Sequence, residues 1–138
     1  MVKRNVIHDS IVLSVSSVLL LTIFACRSLR PIYQVERAPL RTSENATLED
    51  ASEAIWRAGR KLGWEIEEES PGVSIGTLHL RSHVAVVRID HDTKVFAIHD
   101  VKTENLRREG DRIHPNYNGW IHFLETKIEA EPVGHAAN

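Results

Sequence analysis

Apolar residues recur at helical spacing in two segments of the chain, residues 47–62 and residues 116–130. At the start of the first segment, Thr47 can cap a helix, and Asp50 can complete a capping box with it. Gly63 can then end the helix in the left-handed conformation. The two patterns therefore predict two amphipathic helices, each with one apolar face.

Strand patterns precede and separate these helices. Residues 73–80, 83–90 and 95–101 are rich in β-branched and large apolar residues, and the short connections between them require antiparallel hairpins. Residues 31–36 predict one earlier strand, and residues 38–46 predict a loop. We therefore expect an α+β fold with the order β-α-β-β-β-α. It would be a two-layer sandwich in which two helices cover one face of an antiparallel sheet of three to four strands.

Alternation within the three hairpin strands predicts which residues share a face. If the turns are of even length, Ile89 lies opposite Phe96 and Val87 lies opposite Ile98, all on the core side. The other side is rather apolar for a solvated surface, and an exposed apolar patch of that kind can mark a contact surface. The candidate interaction surface consists of outward-facing residues of the second and third hairpin strands: Val84, Val86, Arg88, Val95, Ala97 and His99.

Polar segments flank the hairpin strands. The acidic run at residues 65–69 is interpreted as a solvated edge rather than a cation-binding patch. Residues 102–112 are interpreted as a connection that leads out of the sheet. Because residues 132–138 are expected to form a loose tail, the predicted domain spans residues 31–131.

The N-terminal region has the charge and length pattern of a signal peptide. Lys3 and Arg4 precede an apolar run of 15 residues, 11–25, which Cys26 closes. A membrane-spanning helix needs about 20 apolar residues, whereas this length suits the apolar region of a signal peptide. Residues 1–25 are therefore predicted to be a signal peptide that directs the domain to the non-cytoplasmic side.

The end of the apolar run, Ile23-Phe24-Ala25-Cys26, resembles a bacterial lipobox, although a small or β-branched residue is usual where Phe24 stands. The resemblance implies that Cys26 is acylated and attaches the chain to the membrane, with residues 26–30 as a lipidated tether. Arg27 is not an aspartate, which by resemblance to enteric-type sorting favours the outer membrane, facing the periplasm. Two alternatives remain open: an ordinary signal peptide with an incidental cysteine, and an uncleaved anchor.

The charge balance bears on the partners of the domain. Without Lys3, Arg4 and Asp9 of the leader, residues 26–138 carry 15 Lys and Arg and 18 Asp and Glu, a net charge of −3. These charges are mixed along the chain, which argues against nucleic acid as a partner because phosphate binding needs clustered cations. Since Cys26 is the single cysteine, no intramolecular disulfide can form.

Histidines are the main candidates for chemistry. His79, His83 and His99 could supply a metal or ligand site, with His79 and His99 on the outer face on either side of the central strand. That placement leaves about 10 Å between the two backbones, which makes a poor chelate. Gly72-Val73-Ser74-Ile75-Gly76 has Gly-x-Ser-x-Gly spacing, but it lies at the start of a predicted strand, and no nucleophile is paired with a base, so neither an enzyme nor a cofactor is predicted. A periplasmic ligand- or metal-binding protein is the alternative function.

Several short motifs are spread over most of the region after Cys26: Gly63-Trp64, Pro71-Gly72, Arg81-x-His83-x-Ala85, Asn105-Leu106 and Ile113-His114-x-x-Tyr117-Asn118-x-Trp120-x-x-x-Leu124. Their order, together with the lipobox, resembles small lipoproteins of Gram-negative bacteria with no assigned function. One departure is His99-Asp100, where a more apolar or aromatic pair is expected. The resemblance implies an envelope lipoprotein without catalytic residues. With the apolar outer face, it suggests a binding or scaffold module whose partner is another envelope protein.

Overall fold

The computed structural model describes residues 28–134, so the predicted signal peptide and Cys26 lie outside the described residues. The described residues form two helices and ten strands, several of which are only two residues long. In chain order these are β1 (Arg30–Pro31), β2 (Val35–Pro39), β3 (Arg41–Thr42), α1 (Leu48–Lys61), β4 (Trp64–Ser70), β5 (Val73–Leu80), β6 (His83–His91), β7 (Val95–Glu104), β8 (Arg108–Glu109), β9 (Arg112–Ile113), α2 (Pro115–Ala130) and β10 (Pro132–Val133).

The predicted fold is wrong in the number and the order of its strands. Five strands form the main antiparallel sheet in the order β2-β7-β6-β5-β4. A second sheet has the order β1-β9-β8, and β3 pairs in parallel with β10. The described chain is therefore mostly β, with a five-stranded sheet and two small sheets. It is not a three- to four-stranded sandwich of order β-α-β-β-β-α.

The strand that the prediction lacked lies in the acidic run. In β4, Trp64 and Ile66 are buried, whereas Glu65 and Glu67 are exposed. Only two apolar residues mark the inward side, because β4 is an edge strand of the sheet. Its like charges also discourage pairing with another sheet. A short alternation dominated by glutamates is hard to distinguish from a solvated segment, and this is why the strand was missed.

The first predicted strand, residues 31–36, is divided between β1 and β2. β1 pairs with β9, and β2 pairs with β7 at the other edge of the main sheet. Between them, the N–H groups of Ile32 and Tyr33 donate to the Asp111 carbonyl (2.8 Å) and to the Asn118 side-chain oxygen (3.0 Å). Local propensity could not predict this interruption, since both acceptors lie far along the chain.

Part of the predicted tail is held in a strand. Pro132 and Val133 pair with Arg41 and Thr42 of β3, and Val133 is fully buried. The expectation of a loose tail is therefore wrong for these two residues, and the loop predicted before α1 contributes their partner strand. Residues 135–138 lie outside the described residues.

The two predicted helices are confirmed. α1 follows Thr47, whose hydroxyl accepts from the N–H of Asp50 (3.1 Å), while the Asp50 carboxylate accepts from the N–H of Thr47 (2.8 Å). This is the expected capping box. α2 begins at Pro115, with His114 as its N-cap. The apolar residues of both helices belong to one core with the inward residues of the main sheet.

The predicted faces of the hairpin strands are right, although one predicted register is wrong. Ile89 pairs with Ile98, not with Phe96. The turn is shorter than expected because the N–H of Asp92 donates to the carbonyl of Val95 (3.0 Å), which leaves a two-residue loop. The strands therefore shift by two residues, and an even shift keeps every side chain on its face.

β7 also runs three residues further than predicted, through a bulge. Val86 pairs with Lys102, whereas the next residue, Val87, pairs with Asp100. Val101 is the extra residue, and it is exposed. The segment that was expected to leave the sheet therefore starts within it, and Asp100 lies on the inner, core side.

Candidate functional site

The predicted interaction surface lies on the outer face of the main sheet, opposite the core side. Val84 and Val86 are at its centre on β6, and Val95 and Ala97 extend it on β7. Their side chains are partly buried, unlike the fully buried residues of the inner face. Ile75 and Val73 of β5 lie on the same side and have the same partial exposure. On the central strand β6, however, Arg88 lies between Ile75 and His99, and Asp90 lies between Val73 and Ala97. The outer face therefore mixes partly exposed apolar side chains with charged ones.

Charged residues lie among these apolar residues, and several are paired. Arg88 Nε lies 2.9 Å from Asp90 Oδ1, and His99 Nε2 lies 3.6 Å from Asp90 Oδ2. Lys102 pairs with Glu104. Exposed pairs of this kind contribute roughly 0–1 kcal/mol to stability. Their main effect is therefore to balance the charge of the face.

The three candidate histidines do not come together. His79 pairs with Val84, whereas His99 pairs with Arg88, four residues further along β6. Two strand spacings and four residues of rise separate the backbones of His79 and His99 by roughly 16 Å. The predicted placement beside the same part of the central strand is therefore wrong, because the shorter turn moves β7 by two residues. Nδ1 of the third, His83, contacts the carbonyl of Asn105.

Within residues 28–134, no group of three or more His, Cys, Asp or Glu is placed to hold a metal ion. The histidine-based ligand site consequently has no converging set of donors in this part of the chain.

A polar cleft of about 400 Å³ lies between α1 and the β4 edge. Beside it, Ser52 Oγ lies 3.3 Å from His91 Nε2. Burial lowers the pKa of His91, and no residue in the described part of the chain is a hydrogen-bond partner of its buried Nδ1. An activated serine needs a histidine that is oriented by a third group, and within residues 28–134 no such group lies at Nδ1. This contact therefore lacks the geometry of a catalytic triad.

A second polar cluster lies on the inner side of β7. Arg108 Nη1 contacts Asp100 Oδ2 at 2.7 Å, and the Asp100 side chain is only 7 % exposed. Burial, and then the neighbouring charge of Asp100, raise the pKa of the Tyr117 hydroxyl, so Tyr117 stays neutral. The cluster links β7, β8 and α2. It is a structural connection that sequence reasoning missed, because its residues come from three elements that only the fold brings together.

A third feature is an apolar cluster at one end of the domain. Leu62, Leu80, Trp120 and Phe123 surround a small cleft of about 110 Å³, whose remaining lining is Trp64 and Leu78. Phe123 is 67 % exposed and Leu80 is 42 % exposed. We call the four surrounding residues the apolar end. Sequence reasoning missed it. The available signal was Phe123, a large apolar residue that falls outside the helical apolar stripe of α2.

The chain matches no protein-family model, and no curated protein and no solved structure matches it. Among the residues that the structure describes, no helix has the length and apolar character needed to cross a membrane.

Proposed function

We propose that this chain is a membrane-anchored lipoprotein of the cell envelope, attached through acylated Cys26 and facing the periplasm from the outer membrane. Its folded part acts as a non-catalytic module that binds another envelope protein. The leader pattern and the lipobox-like residues before Cys26 support the anchor. The resemblance to small lipoproteins of Gram-negative bacteria supports the envelope assignment.

The outer face of the main sheet carries the binding part of the proposal. Partly exposed apolar side chains from β5, β6 and β7 are interspersed there with paired charged residues. Protein interfaces likewise combine apolar area with polar and charged groups. The face therefore has the chemistry of a protein-binding surface.

The charges of this face favour a protein over a lipid surface. Glu65 and Glu67 of β4 lie beside Thr77 and Ile75 at its edge, and the cations Arg88 and Lys102 are already paired with carboxylates. An anionic lipid surface attracts unpaired Lys and Arg and repels carboxylates. A protein partner can match such a mixed surface with charges of its own.

The anchor is tested by labelling the full-length chain with a fatty-acid analogue in a Gram-negative host. We expect label on the chain and recovery of the chain in the membrane fraction. The Cys26→Ser variant should carry no label and should no longer be recovered as an acylated protein in the membrane fraction. Labelling that persists in Cys26→Ser, or a wild-type chain that carries no label, would contradict the anchor.

The binding face is tested by crosslinking in intact membranes, followed by affinity purification of the tagged full-length chain. We expect a discrete partner with the wild type that is lost in Val86→Glu. Thr126→Glu is the matched control, because it adds the same charge at an exposed position of α2. Recovery of the same proteins with all three chains would exclude the outer face as the binding surface.

A further inference from the structure

We propose that the apolar end, formed by Leu62, Leu80, Trp120 and Phe123, rests in the interfacial region of the bilayer to which Cys26 is attached. The inference rests on the proposed lipid anchor. It adds that the folded domain itself contacts lipid, with a defined orientation.

The exposure of the apolar end is what requires an explanation. Phe123, Leu80 and Leu62 are 67 %, 42 % and 36 % exposed, and they come from α2, β5 and the end of α1. Single exposed apolar residues are normal on proteins, but these three adjoin one cleft together with Trp120. Clustering of large exposed apolar residues marks a surface that contacts an apolar or interfacial partner.

The chain enters the domain at the same end. β1 pairs with β9, which directly precedes α2, and Arg112 Nη2 donates to the carbonyl of Leu29 at 2.7 Å. The Asn118 amide donates to the carbonyl of Pro31 at 2.8 Å. Leu29 and Pro31 therefore lie beside the first turns of α2.

Trp120 lies on the other side of the same turns. It is two positions after Asn118, and residues two positions apart on a helix are separated by about 200° around the axis. The entry point and the apolar end are consequently about one helix diameter apart, roughly 10–12 Å. α1 ends and β4 begins at this end of the domain as well, since Leu62 and Trp64 both line the cleft.

The tether is too short to hold this end away from the membrane. Three peptide units join Cys26 to Leu29, and their fully extended length is at most about 10 Å. Leu29 is buried, so it cannot lengthen the tether without leaving the folded domain. An acyl chain on Cys26 therefore brings the lipid surface close to this end and not to the opposite one.

The charges near the apolar end suit an anionic lipid surface. Arg81, in the turn that follows Leu80, is exposed, as are Arg60 in the last turn of α1 and Arg30 of β1. Basic residues beside exposed Trp, Phe and Leu are typical of segments that lie in the membrane interface. The outer face of the sheet differs, because carboxylates lie at its rim and its cations are paired.

The experiment uses the full-length acylated chain in vesicles of phosphatidylethanolamine and phosphatidylglycerol. Since Cys26 is the only cysteine and its sulfur is blocked by acylation, one introduced cysteine can carry a fluorophore. Leu80→Cys and Phe123→Cys report on the apolar end. Val86→Cys on the outer face and Trp56→Cys, another exposed aromatic position, are the controls.

We expect nitroxide-labelled lipids to quench the fluorophore at positions 80 and 123 at least about twofold more than at positions 56 and 86, because interfacial residues enter the headgroup and upper acyl region. Vesicle flotation is measured on the same samples. Flotation with equal quenching at all four positions overturns the inference and leaves the anchor intact. A chain that does not float overturns the anchor and the inference together. A fluorophore that is shielded at position 123 only when envelope proteins are added would identify a protein occupant, which also overturns the inference.

Discussion

Both faces of the main sheet carry apolar residues, yet these residues have different environments. Ile89 on the inner face of β6 is fully buried in the core that the helices share. Ile75 on the outer face of the neighbouring strand β5 is only partly buried. Apolar character therefore does not determine which face becomes the core. The difference arises because the helices pack against the inner face. Within the described part of the chain, the outer face has no such covering element and is accessible to a partner.

Two local features bring α1 close to the inner face. Gly59 of α1 faces Ile66 of β4, and a Cβ at position 59 would overlap that side chain. Glu131, directly before β10, contacts Arg57 Nε at 3.0 Å and Lys61 Nζ at 2.7 Å, and so connects the last turns of α1 to the chain after α2. The inner face is therefore closed by a tight helix–strand contact and by an ion-paired clamp.

The largest difference between the faces should appear when the same truncation is made on each. Ile89→Ala should lower the free energy of unfolding by about 2–5 kcal/mol, because it leaves a cavity in a fully packed site. Ile75→Ala should cost about 1 kcal/mol or less, since water can reach the space that is vacated. Urea denaturation of both variants measures the two losses. Equal losses would mean that the outer face is packed as tightly as the inner one.

Much of this contrast could be predicted from the sequence, but the fold could not. Face assignment depends only on alternation, so Val87 and Ile89 were placed inward and Val86 outward despite a register error of two residues. The capping box of Thr47 and Asp50 is equally local. The five-stranded sheet was missed because glutamates dominate β4, and the two small sheets were missed because β1 and β3 pair with β9 and β10, which are distant in sequence.

The same limit applies to the candidate sites. The outer-face residues were found because a periodic pattern places them. The apolar end was missed because Leu62, Leu80 and Phe123 come from three separate elements, and only the fold brings them together. The Asp100–Arg108 pair was missed because Arg108 belongs to β8, a two-residue strand within a segment that was predicted to leave the sheet.

The close approach of α1 to the inner face gives the second largest expected effect. Alanine has a higher helix propensity than glycine by about 1 kcal/mol, so propensity alone predicts that Gly59→Ala stabilises the protein. We expect the opposite, a loss of about 1–2 kcal/mol, because the added methyl overlaps Ile66 and overpacking typically costs about 1–3 kcal/mol.

Thermal and urea denaturation of Gly59→Ala, Ile66→Ala and the double variant test this expectation. The double variant should lose less stability than the sum of the single changes, since removing the Ile66 side chain makes room for the methyl group. Strictly additive losses would show that the two positions are not in close contact.

The clamp at Glu131 should have a smaller effect that depends on pH. Burial by itself would raise the pKa of Glu131, but hydrogen bonds from Lys61 and Arg57 outweigh it and lower the pKa. A carboxyl with a lowered folded-state pKa stabilises the protein above its unfolded pKa, and this contribution is lost as the pH falls through the folded-state pKa. Because Lys61 is half exposed, we expect Glu131→Gln to cost only about 1–2 kcal/mol at neutral pH.

Urea denaturation across pH measures that contribution as the difference between the wild type and Glu131→Gln. The difference should be constant above about pH 5 and should shrink as the pH falls below about 4, where the wild-type carboxyl becomes protonated. Glu129→Gln, at an exposed position near the end of α2, is the control and should show no such difference. If the difference in free energy of unfolding between the wild type and Glu131→Gln persists at the lowest pH, the packing of the Glu131 side chain, and not its charge, stabilises the clamp.

The smallest expected change in stability is also the one that best separates the two faces. Val86 pairs with Lys102 on β7 and with Thr77 on β5, so a glutamate at this position would lie beside a cation and water. Opposite charges across strands contribute favourably by roughly 0.2–1 kcal/mol, which offsets the loss of apolar burial. We therefore expect Val86→Glu to change the free energy of unfolding by less than about 1 kcal/mol, while Val86→Lys, which places two like charges together, is less stable.

Urea denaturation of both variants, with Val86→Thr as a near-isosteric reference, measures these changes in the free energy of unfolding. A large loss in Val86→Glu would show that residue 86 is part of the core, and any loss of partner binding in that variant would then reflect unfolding and not a damaged interaction surface.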